Sequence, residues 1–411
     1  MDGKMIDRWL FPLVEEAMED TRVTFIMGAR QVGKSTLVQR IAEEKRWPLL
    51  TLDDQVTREA ALTDPTGFIA GINRPVVIDE VQRAPDILLA IKQTVDTDTR
   101  PGQFLLTGSS NVRSNRRVKD ALTGRMEVLT LWPLGQGEIH KSGNLVDALF
   151  QADPPQVDNA PVGRDAFVNI VATGGYPEAM NRHGRRRDRW FSSYIDTTLD
   201  RDLRDISDAL KLDEIPHLLR LLAAQSAGLL NYTTLSDRLG LNEKTVKSYV
   251  QLLETVFIIV RLPSWRSGLA AREQHAPKIH LVDTGLLSHL LGADENRIRT
   301  DDQITGHIVE NFVVMEVIKQ IDSAEIDAKP YHYRAGRDEV DMILESRSGA
   351  IVGIEVKAGA SLGSSDWRPL AKLRDSAGSR FVCGVVVYSG RQTLPLSDRL
   401  WAIPISGLWS A

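Results

Sequence analysis

The stretch Val-Thr-Phe-Ile-Met-Gly-Ala-Arg-Gln-Val-Gly-Lys-Ser-Thr, residues 23–36, decides the fold of this chain. Its β-branched and aromatic beginning, Val23 to Ile26, predicts a buried strand, and a helical pattern resumes at Ser35. Between the two lies the spacing Gly-x-x-x-x-Gly-Lys-Ser, which begins at Gly28 and predicts a phosphate-binding loop. The glycines let backbone N–H groups face a β-phosphate, and the following helix adds its positive N-terminal end.

The side chains of this loop have distinct expected roles. Lys34 is expected to bridge the β- and γ-phosphates, and the Ser35 hydroxyl is expected to bind Mg²⁺. The predicted nucleotide-binding residues are Gly28, Ala29, Arg30, Gln31, Val32, Gly33, Lys34, Ser35 and Thr36. The alternative is a glycine-containing strand–helix turn that carries the motif by chance. Because a strand precedes the loop and a helix follows it, the sequence predicts binding of ATP with Mg²⁺.

Length and composition limit the class of protein. A chain of 411 residues suggests two to four domains, and 42% hydrophobic with 26% charged residues is typical of soluble globular proteins. The net charge of −5 gives no global footprint for nucleic acid, so any such binding must use local patches. The single cysteine, Cys383, excludes an internal disulfide and a multi-cysteine zinc site, and it fits a reducing cytoplasm.

Hydropathy argues against a membrane protein. No apolar run approaches the ~20 residues that a helix needs to cross a bilayer. The segment from Met1 to Asp7 carries mixed charge and lacks the apolar core of a signal peptide. We therefore expect a cytoplasmic protein that has no membrane partner.

A second acidic motif follows the phosphate loop. The apolar run from Pro75 to Ile78 leads directly into Asp79 and Glu80. A buried strand there would deliver Asp79 to the Mg²⁺ shell, and Glu80 would polarise the attacking water. Strands that end in two acids are common, but this position after a phosphate loop makes the motif specific.

A third predicted strand, Phe104 to Leu106, ends in polar residues. We expect it to lie between the two earlier strands, so that Ser109 or Ser110 contacts the γ-phosphate. The alternative for both serines is a plain role in a turn.

Arg125 is the candidate for an arginine supplied across a subunit boundary, where it would stabilise charge on the transferred phosphoryl group. This role implies a homo-oligomer. The alternative is a surface salt bridge, and three nearby arginines compete for the same role: Arg113, Arg116 and Arg117.

These motifs resemble those of prokaryotic AAA+-type ATPases whose C-terminal part is a domain of unknown function with a restriction-endonuclease-like fold. The resemblance runs over nearly the whole chain, and the residues that carry it are Gly28 to Ser35, Val77 to Glu80, Leu106 to Ser109, Leu122 to Arg125 and Gly174 to Pro177. Lys278 to Leu286 is a further segment typical of the family.

The resemblance implies an α/β multidomain protein. We expect a P-loop AAA+ ATPase core at 1–132, a helical lid at 133–212 and a winged helix-turn-helix at 213–270. A PD-(D/E)XK nuclease-like domain is expected at 271–411. The resemblance implies a nucleotide switch and leaves open what the switch drives.

The segment from Thr234 to Val246 predicts a helix, a glycine turn and a second helix that Asn242 caps. A predicted strand, Val256 to Leu262, then follows, as in a winged helix. The second helix could lie in a DNA major groove with these residues exposed: Lys244, Thr245, Lys247 and Ser248. The alternative is an interaction module that has the same fold and does not touch DNA.

The last third predicts the order helix, three strands, helix, strand, which is the core of restriction-type nucleases. Glu310 lies on the first helix, Asp341 on the second strand, and Glu355 and Lys357 share one face of the third. Asp341 and Glu355 are the predicted ligands of Mg²⁺, which would activate a water. Lys357 would orient that water, and Glu310 would complete the metal shell.

The structural alternative for this region is a salt-bridged Glu355–Lys357 pair in an inactive relic of the nuclease fold. His332 and Arg337 are further candidates for a phosphate contact.

The sequence therefore predicts an ATP-hydrolysing protein that engages double-stranded or branched DNA and couples a metal-dependent nuclease-like module to its nucleotide state. Lys34, Asp79 and Glu80 would carry ATP hydrolysis. The rival hypothesis is an ATP-dependent switch or scaffold, or a toxin or defence effector, with an inactive nuclease fold.

Overall fold

The structure is a computed structural model that describes residues 6–108, 123–160, 162–199, 214–266, 275–336 and 338–410. These residues form two compact units. The first is built from the described parts of Met1–Pro133, Ser192–Leu212 and Gln251–Ile258, and the second from those of Leu134–Phe191, Asp213–Val250 and Ile259–Ala411. The two units cut across the four segments that the sequence predicts.

The first unit is an α/β fold with a five-stranded sheet. Its elements are α1 (Leu10–Asp20), β1 (Val23–Met27), α2 (Lys34–Lys45), β2 (Leu49–Thr51), α3 (Gln55–Thr63), α4 (Pro65–Ala70), β3 (Val76–Asp79), α5 (Ile87–Thr97), β4 (Phe104–Gly108) and β5 (Met126–Thr130). The strand order is β2-β3-β4-β1-β5, and every pairing is parallel. As predicted, β4 lies between β1 and β3.

The apolar strands of this sheet are buried along their whole length. All residues of β1, β3 and β4 are buried, which fits a parallel sheet covered on both faces. Phe25, Ile78 and Leu106 lie in one hydrophobic core with Ile91 of α5. This core fixes the strand ends from which the polar loops leave.

Most of the remaining elements belong to the second unit. In chain order they are α6 (Gln136–His140), α7 (Leu145–Phe150), α8 (Arg164–Thr173), α9 (Pro177–Met180), α10 (Arg185–Ser193), α11 (Ile215–Ala224), α12 (Tyr232–Leu239), α13 (Glu243–Thr255), β6 (Ile259–Leu262), β7 (Lys278–Leu281), α14 (Thr284–Leu290), α15 (Glu295–Thr300), α16 (Asp302–Ile321), β8 (Ala328–Ala335), β9 (Asp338–Ser346), β10 (Ile351–Lys357), α17 (Ser364–Ala377), β11 (Phe381–Tyr388), β12 (Leu394–Ser397) and β13 (Leu400–Pro404).

The predicted helix, glycine turn and helix are present as α12 and α13. Gly240 ends α12 with a φ of +65°, a backbone conformation that favours glycine. The Asn242 side chain accepts the Thr245 N–H at 2.8 Å, so the predicted helix cap is confirmed. The strand that follows, β6, begins at Ile259 and pairs antiparallel with β7.

The C-terminal region contains a six-stranded sheet in the order β12-β13-β11-β10-β9-β8. The neighbours β8, β9 and β10 are antiparallel, whereas β11 runs parallel to both β10 and β13. With α16 before β8 and α17 between β10 and β11, the predicted order of elements is observed. The strands β12 and β13 were not predicted.

Close packing of α17 on this sheet depends on glycine. A Cβ atom at Gly353 would lie 2.6 Å from a methyl carbon of Leu370, so a larger residue would push the helix away. Among the described helices, none combines the length and the apolar character that a membrane span requires.

Candidate functional site

The loop after β1 has the backbone conformations that its glycines predict. Gly28 and Gly33 have φ values of +154° and +100°. A Cβ atom at Gly28 would lie only 2.1 Å from the Leu131 carbonyl oxygen, so glycine is required there. Gly33 immediately precedes α2, which places the loop at the positive end of that helix.

The Lys34 ammonium is held over this loop. Its Nζ atom donates to the carbonyl oxygens of Gly28 at 2.9 Å and Ala29 at 2.8 Å, and the side chain is buried. Ser35, one residue further along α2, is exposed. The loop therefore presents one positive charge and one accessible hydroxyl in its first helical turn.

Asp79 and Glu80 follow the end of β3. The Thr107 hydroxyl at the end of β4 donates to the Asp79 carboxylate and accepts the Glu80 N–H at 3.1 Å. Glu80 adopts a left-handed backbone conformation with a φ of +61°, and Gln82 donates to its carboxylate. Thr107 thus orients both acids, a role that sequence reasoning missed although the residue lies in a quoted motif.

The parallel sheet brings the two motifs to the same edge. Parallel strands place their carboxyl ends together, so the loop after β1 and the acids after β3 share this edge, separated by β4. Ser109 and Ser110, predicted to sense the γ-phosphate from β4, lie outside the described residues. The edge carries Lys34, Ser35, Asp79 and Glu80, which are the groups expected for nucleotide hydrolysis.

Arg125 lies at the other edge of the sheet. Its backbone carbonyl accepts the Val23 N–H at 3.3 Å, at the beginning of β1, and its guanidinium forms an ion pair with Asp96. Arg125 is therefore placed away from its own phosphate loop, and a role on a second copy stays a prediction. The competing arginines at 113, 116 and 117 lie outside the described residues.

Arg8 is a further residue that the sequence did not single out. Its two terminal nitrogens donate to the carbonyl oxygens of Val32 at 2.8 Å and Trp132 at 2.6 Å. It thereby joins the phosphate loop to the segment after β5. A lone arginine before a helix gives no sequence signal of this kind, because its partners are backbone atoms.

The acids of the last third converge around a lysine. Lys278 of β7 is 2% exposed, and its Nζ atom lies 2.6 Å from Glu310, 2.8 Å from Glu339 and 3.0 Å from Asp341. The resemblance included Lys278 in a family segment, but neither spacing nor topology predicted that it reaches these acids.

The remaining predicted residues adjoin this cluster. The second oxygen of Asp341 accepts the Val356 N–H at 3.0 Å. Glu355 accepts from Lys357 at 2.7 Å, so the same-face pair exists as a salt bridge. The other Glu355 oxygen is buried and has no hydrogen-bond partner among the described residues. Glu310, Asp341, Glu355 and Lys357 are thus brought into one neighbourhood.

Burial dominates the electrostatics of the cluster. It raises the pKa of Glu310 and that of Glu355 to about 8 each, and the Asp341 carboxylate raises both further against the effect of the lysines. Burial opposes charge on Lys278, yet the three surrounding carboxylates outweigh it and raise the pKa of this ammonium above its ordinary value. Lys278 is therefore a permanent positive charge inside the acid cluster.

This arrangement does not fit a resident Mg²⁺ ion. The Lys278 ammonium contacts three carboxylates at 2.6–3.0 Å and takes the position from which a divalent cation would bind them. Within the described ranges, no group of three or more His, Cys, Asp or Glu side chains is arranged to hold a metal. The geometry favours the alternative in which the predicted ligands Asp341 and Glu355 form an ion-paired, metal-free cluster.

Two buried histidines lie near the same lysine. His332 is 2% exposed and its Nε2 atom lies 3.1 Å from the Ala276 carbonyl oxygen, so its expected contact with a phosphate is not available. Burial, together with the charge of Lys278, lowers the pKa of His280 to about 3. Arg337, the other phosphate candidate, lies outside the described residues.

We expect His280 to make the protein less stable in acid. An unfolded histidine takes up a proton near pH 6.5, whereas folded His280 stays neutral down to about pH 3. Its contribution to stability is therefore present above pH 6.5 and is lost as the pH falls toward 3. Replacing His280→Gln should reduce the slope of unfolding free energy against pH by up to about 1.4 kcal/mol per unit.

Urea unfolding at several pH values measures this slope. His217→Gln is the matched control, because His217 is exposed on α11. Equal slopes in the wild type and in His280→Gln would contradict the interpretation.

The other family segments have structural roles. Asp283 is buried, accepts the N–H groups of Gly175 at 2.6 Å and Leu286 at 2.9 Å, and so caps α14. A Cβ atom at Gly174 would lie 2.2 Å from the Asp283 carboxylate. The glycine pair and the aspartate therefore fit each other, which explains these residue types through packing.

Comparisons with known families agree with the first half of the chain. Residues 20–140 match the model of an AAA domain, so this region is an AAA-like P-loop ATPase domain in a multidomain α/β protein. Residues 164–297 and 305–408 match two domains of unknown function, DUF8612 and DUF4143.

Similar proteins extend over most of the chain. An uncharacterized protein of Mycobacterium tuberculosis is 28% identical over 95% of this chain and 82% of its own length. The Walker-type ATPase of Pyrococcus abyssi has a TM-score of 0.44 at 16% identity, covering 70% of this chain and 96% of that one. The RuvB Holliday junction branch migration motor of Thermotoga maritima has a TM-score of 0.29 at 19% identity, covering 61% and 88%. At these TM-scores the structural likeness carries no argument about function.

Proposed function

We propose that this protein hydrolyses ATP between the phosphate loop and the Asp79–Glu80 pair, and that the nucleotide cycle acts as a conformational switch. One observation carries this proposal. The buried Lys34 ammonium and the two carboxylates stand at the same edge of one parallel sheet. The AAA-domain match of residues 20–140 supports the same reaction.

Each residue has a defined task in this proposal. Lys34 exchanges its two loop carbonyls for β- and γ-phosphate oxygens. The hydroxyl of Ser35 and the carboxylate of Asp79 are oxygen donors suited to Mg²⁺, which when bound neutralises charge on the phosphates. Glu80 accepts a proton from the attacking water, and Thr107 keeps Glu80 and Asp79 in position.

We expect Glu80→Gln to bind ATP normally and to hydrolyse it about 10²-fold more slowly, because an amide cannot take the proton. Phosphate release and titration with a fluorescent ATP analogue separate the two effects. Glu59→Gln on α3 is the control, since Glu59 is exposed and contacts only its helical neighbour Gln55 among the bonds described. A Glu80→Gln variant with unchanged kcat would refute the assigned role.

A homo-oligomer follows from the same scheme. Arg125 lies at the opposite edge of the sheet from its own phosphate loop, so only a neighbouring copy could use it as a transferred arginine. The Asp96 carboxylate would release it on assembly. Mass photometry with and without ATP tests for the assembly, and an ATP-independent monomer would refute it.

We also propose that the switch engages double-stranded or branched DNA through α13. Lys244, Lys247 and Ser248 are exposed on this helix, which supports a contact with phosphates. Lys247 is paired with Glu243 at 2.8 Å, and the Thr245 hydroxyl is bonded to Asn242, so the available charge is small. DNA-dependent stimulation of ATPase activity that Lys244→Glu removes would support this contact, and its absence on every DNA would refute it.

For the C-terminal region we propose the rival of the two sequence hypotheses, an inactive nuclease-like fold. The order of α16, β8, β9, β10, α17 and β11 supports the fold, and the Lys278 ion pairs support inactivity. We expect no cleavage of linear, branched or single-stranded DNA with Mg²⁺ or Mn²⁺. Cleavage that Asp341→Ala abolishes would restore the nuclease hypothesis. A cytoplasmic location is proposed with these roles, supported by the single, buried Cys383.

A further inference from the structure

Lys278 and the acids around it come from different parts of the chain. Lys278 opens β7, within the stretch 164–297 that matches one domain of unknown function. Glu310, Glu339 and Asp341 lie on α16 and β9, within the stretch 305–408 that matches another. One region therefore inserts its ammonium into a carboxylate cluster that the other region builds.

We propose that Lys278 is an internal cation that closes a latent divalent-metal site formed by Glu310, Asp341 and Glu355. In the closed state the ammonium supplies the positive charge that the carboxylates need. Withdrawal of Lys278 would open the same oxygens to a divalent cation. This inference rests on the proposed nuclease-like fold of the C-terminal region, and it is independent of ATP hydrolysis.

Charge and burial support this assignment. Glu310, Glu339, Asp341 and Glu355 place four carboxylates against only two contacting ammonium groups, those of Lys278 and Lys357. The buried second oxygen of Glu355 has no partner in the described part of the chain, so one acceptor stays open for a cation. Hard divalent cations prefer carboxylate oxygens of this kind.

The strand that carries Lys278 is lightly attached. Within the described residues, β7 belongs to a two-stranded sheet with β6, and Lys278 itself bridges to Leu229. Leu229 precedes α12, the first helix of the helix-turn-helix segment. A displacement of that segment would therefore act on Lys278 through backbone contacts.

Binding of Mn²⁺ in the absence of nucleotide and DNA tests the proposal. We expect Lys278→Met to bind about one Mn²⁺ per chain by electron paramagnetic resonance titration, and the wild type to bind none at this site. Adding Asp341→Asn to Lys278→Met should remove the binding. Lys319→Met is the matched control, because Lys319 is likewise buried and paired with a carboxylate, Glu316, at 2.9 Å away from the cluster.

The outcomes separate clearly. Mn²⁺ binding by Lys278→Met that the second substitution removes supports the internal cation. No gain over the wild type, or an equal gain in Lys319→Met, overturns it. If Lys278→Met does not fold, the wild type decides, since wild-type Mn²⁺ binding that Asp341→Asn abolishes would show that Lys278 does not close the site. None of these results depends on the ATPase or DNA assays.

Discussion

Replacing Lys34 with alanine is expected to lower kcat/KM for ATP hydrolysis by about 10³-fold, because a preorganised charge on the phosphates is lost from a buried site. In the structure this ammonium already points over the loop, 2.9 Å and 2.8 Å from two of its carbonyl oxygens. Its reorientation toward phosphate oxygens needs only a change of side-chain torsions. The substitution therefore removes an interaction that the fold has positioned before the nucleotide arrives.

Lys45→Ala provides the control for this measurement. Lys45 lies on the same helix, α2, but it is exposed and paired with Glu15 at 2.5 Å. We expect Lys45→Ala to keep wild-type kcat and KM in a phosphate-release assay. If Lys34→Ala retained activity near that of Lys45→Ala, the phosphate loop would not be the catalytic site.

The ATP site could be predicted from sequence because its determinants are local or follow from parallel pairing. The loop from Gly28 to Ser35 is continuous, and its glycines are required by the close approach to Leu131. The acids of β3 were placed correctly because parallel strands end at the same edge. Arg8 and Thr107 escaped prediction because each acts through contacts that no spacing in the sequence encodes.

The C-terminal cluster shows the opposite limit. Periodicity and element order were sufficient to bring Glu310, Asp341 and Glu355 together. The cation between them is contributed by Lys278, which lies 63 residues before Asp341 in the chain and on a different sheet. A motif of acids with a lysine reads the same in sequence whether a metal or an ammonium balances it. Only the tertiary contact distinguishes these two cases.

Loss of Lys278 should cost the second unit much of its stability. Removing one partner from a buried ion pair leaves uncompensated charge, so Lys278→Met is expected to lower the free energy of unfolding by about 3–5 kcal/mol near neutral pH. Burial already raises the pKa of Glu310 and Glu355 to about 8, which makes protonation the means by which the folded state relieves this charge. The defect should therefore shrink as the pH falls from 8 toward 4.5, the range between the folded and unfolded values.

Urea unfolding of the full chain at several pH values measures this effect, with Lys319→Met compared at each pH. The double variant Lys278→Met/Glu310→Gln should recover part of the loss at high pH, because it removes one unpaired carboxylate. Mn²⁺ should restore stability to Lys278→Met and leave Lys319→Met unchanged, since only the former exposes the oxygen cluster. A defect that neither acid, Glu310→Gln nor Mn²⁺ relieves would show that Lys278 serves packing rather than charge balance.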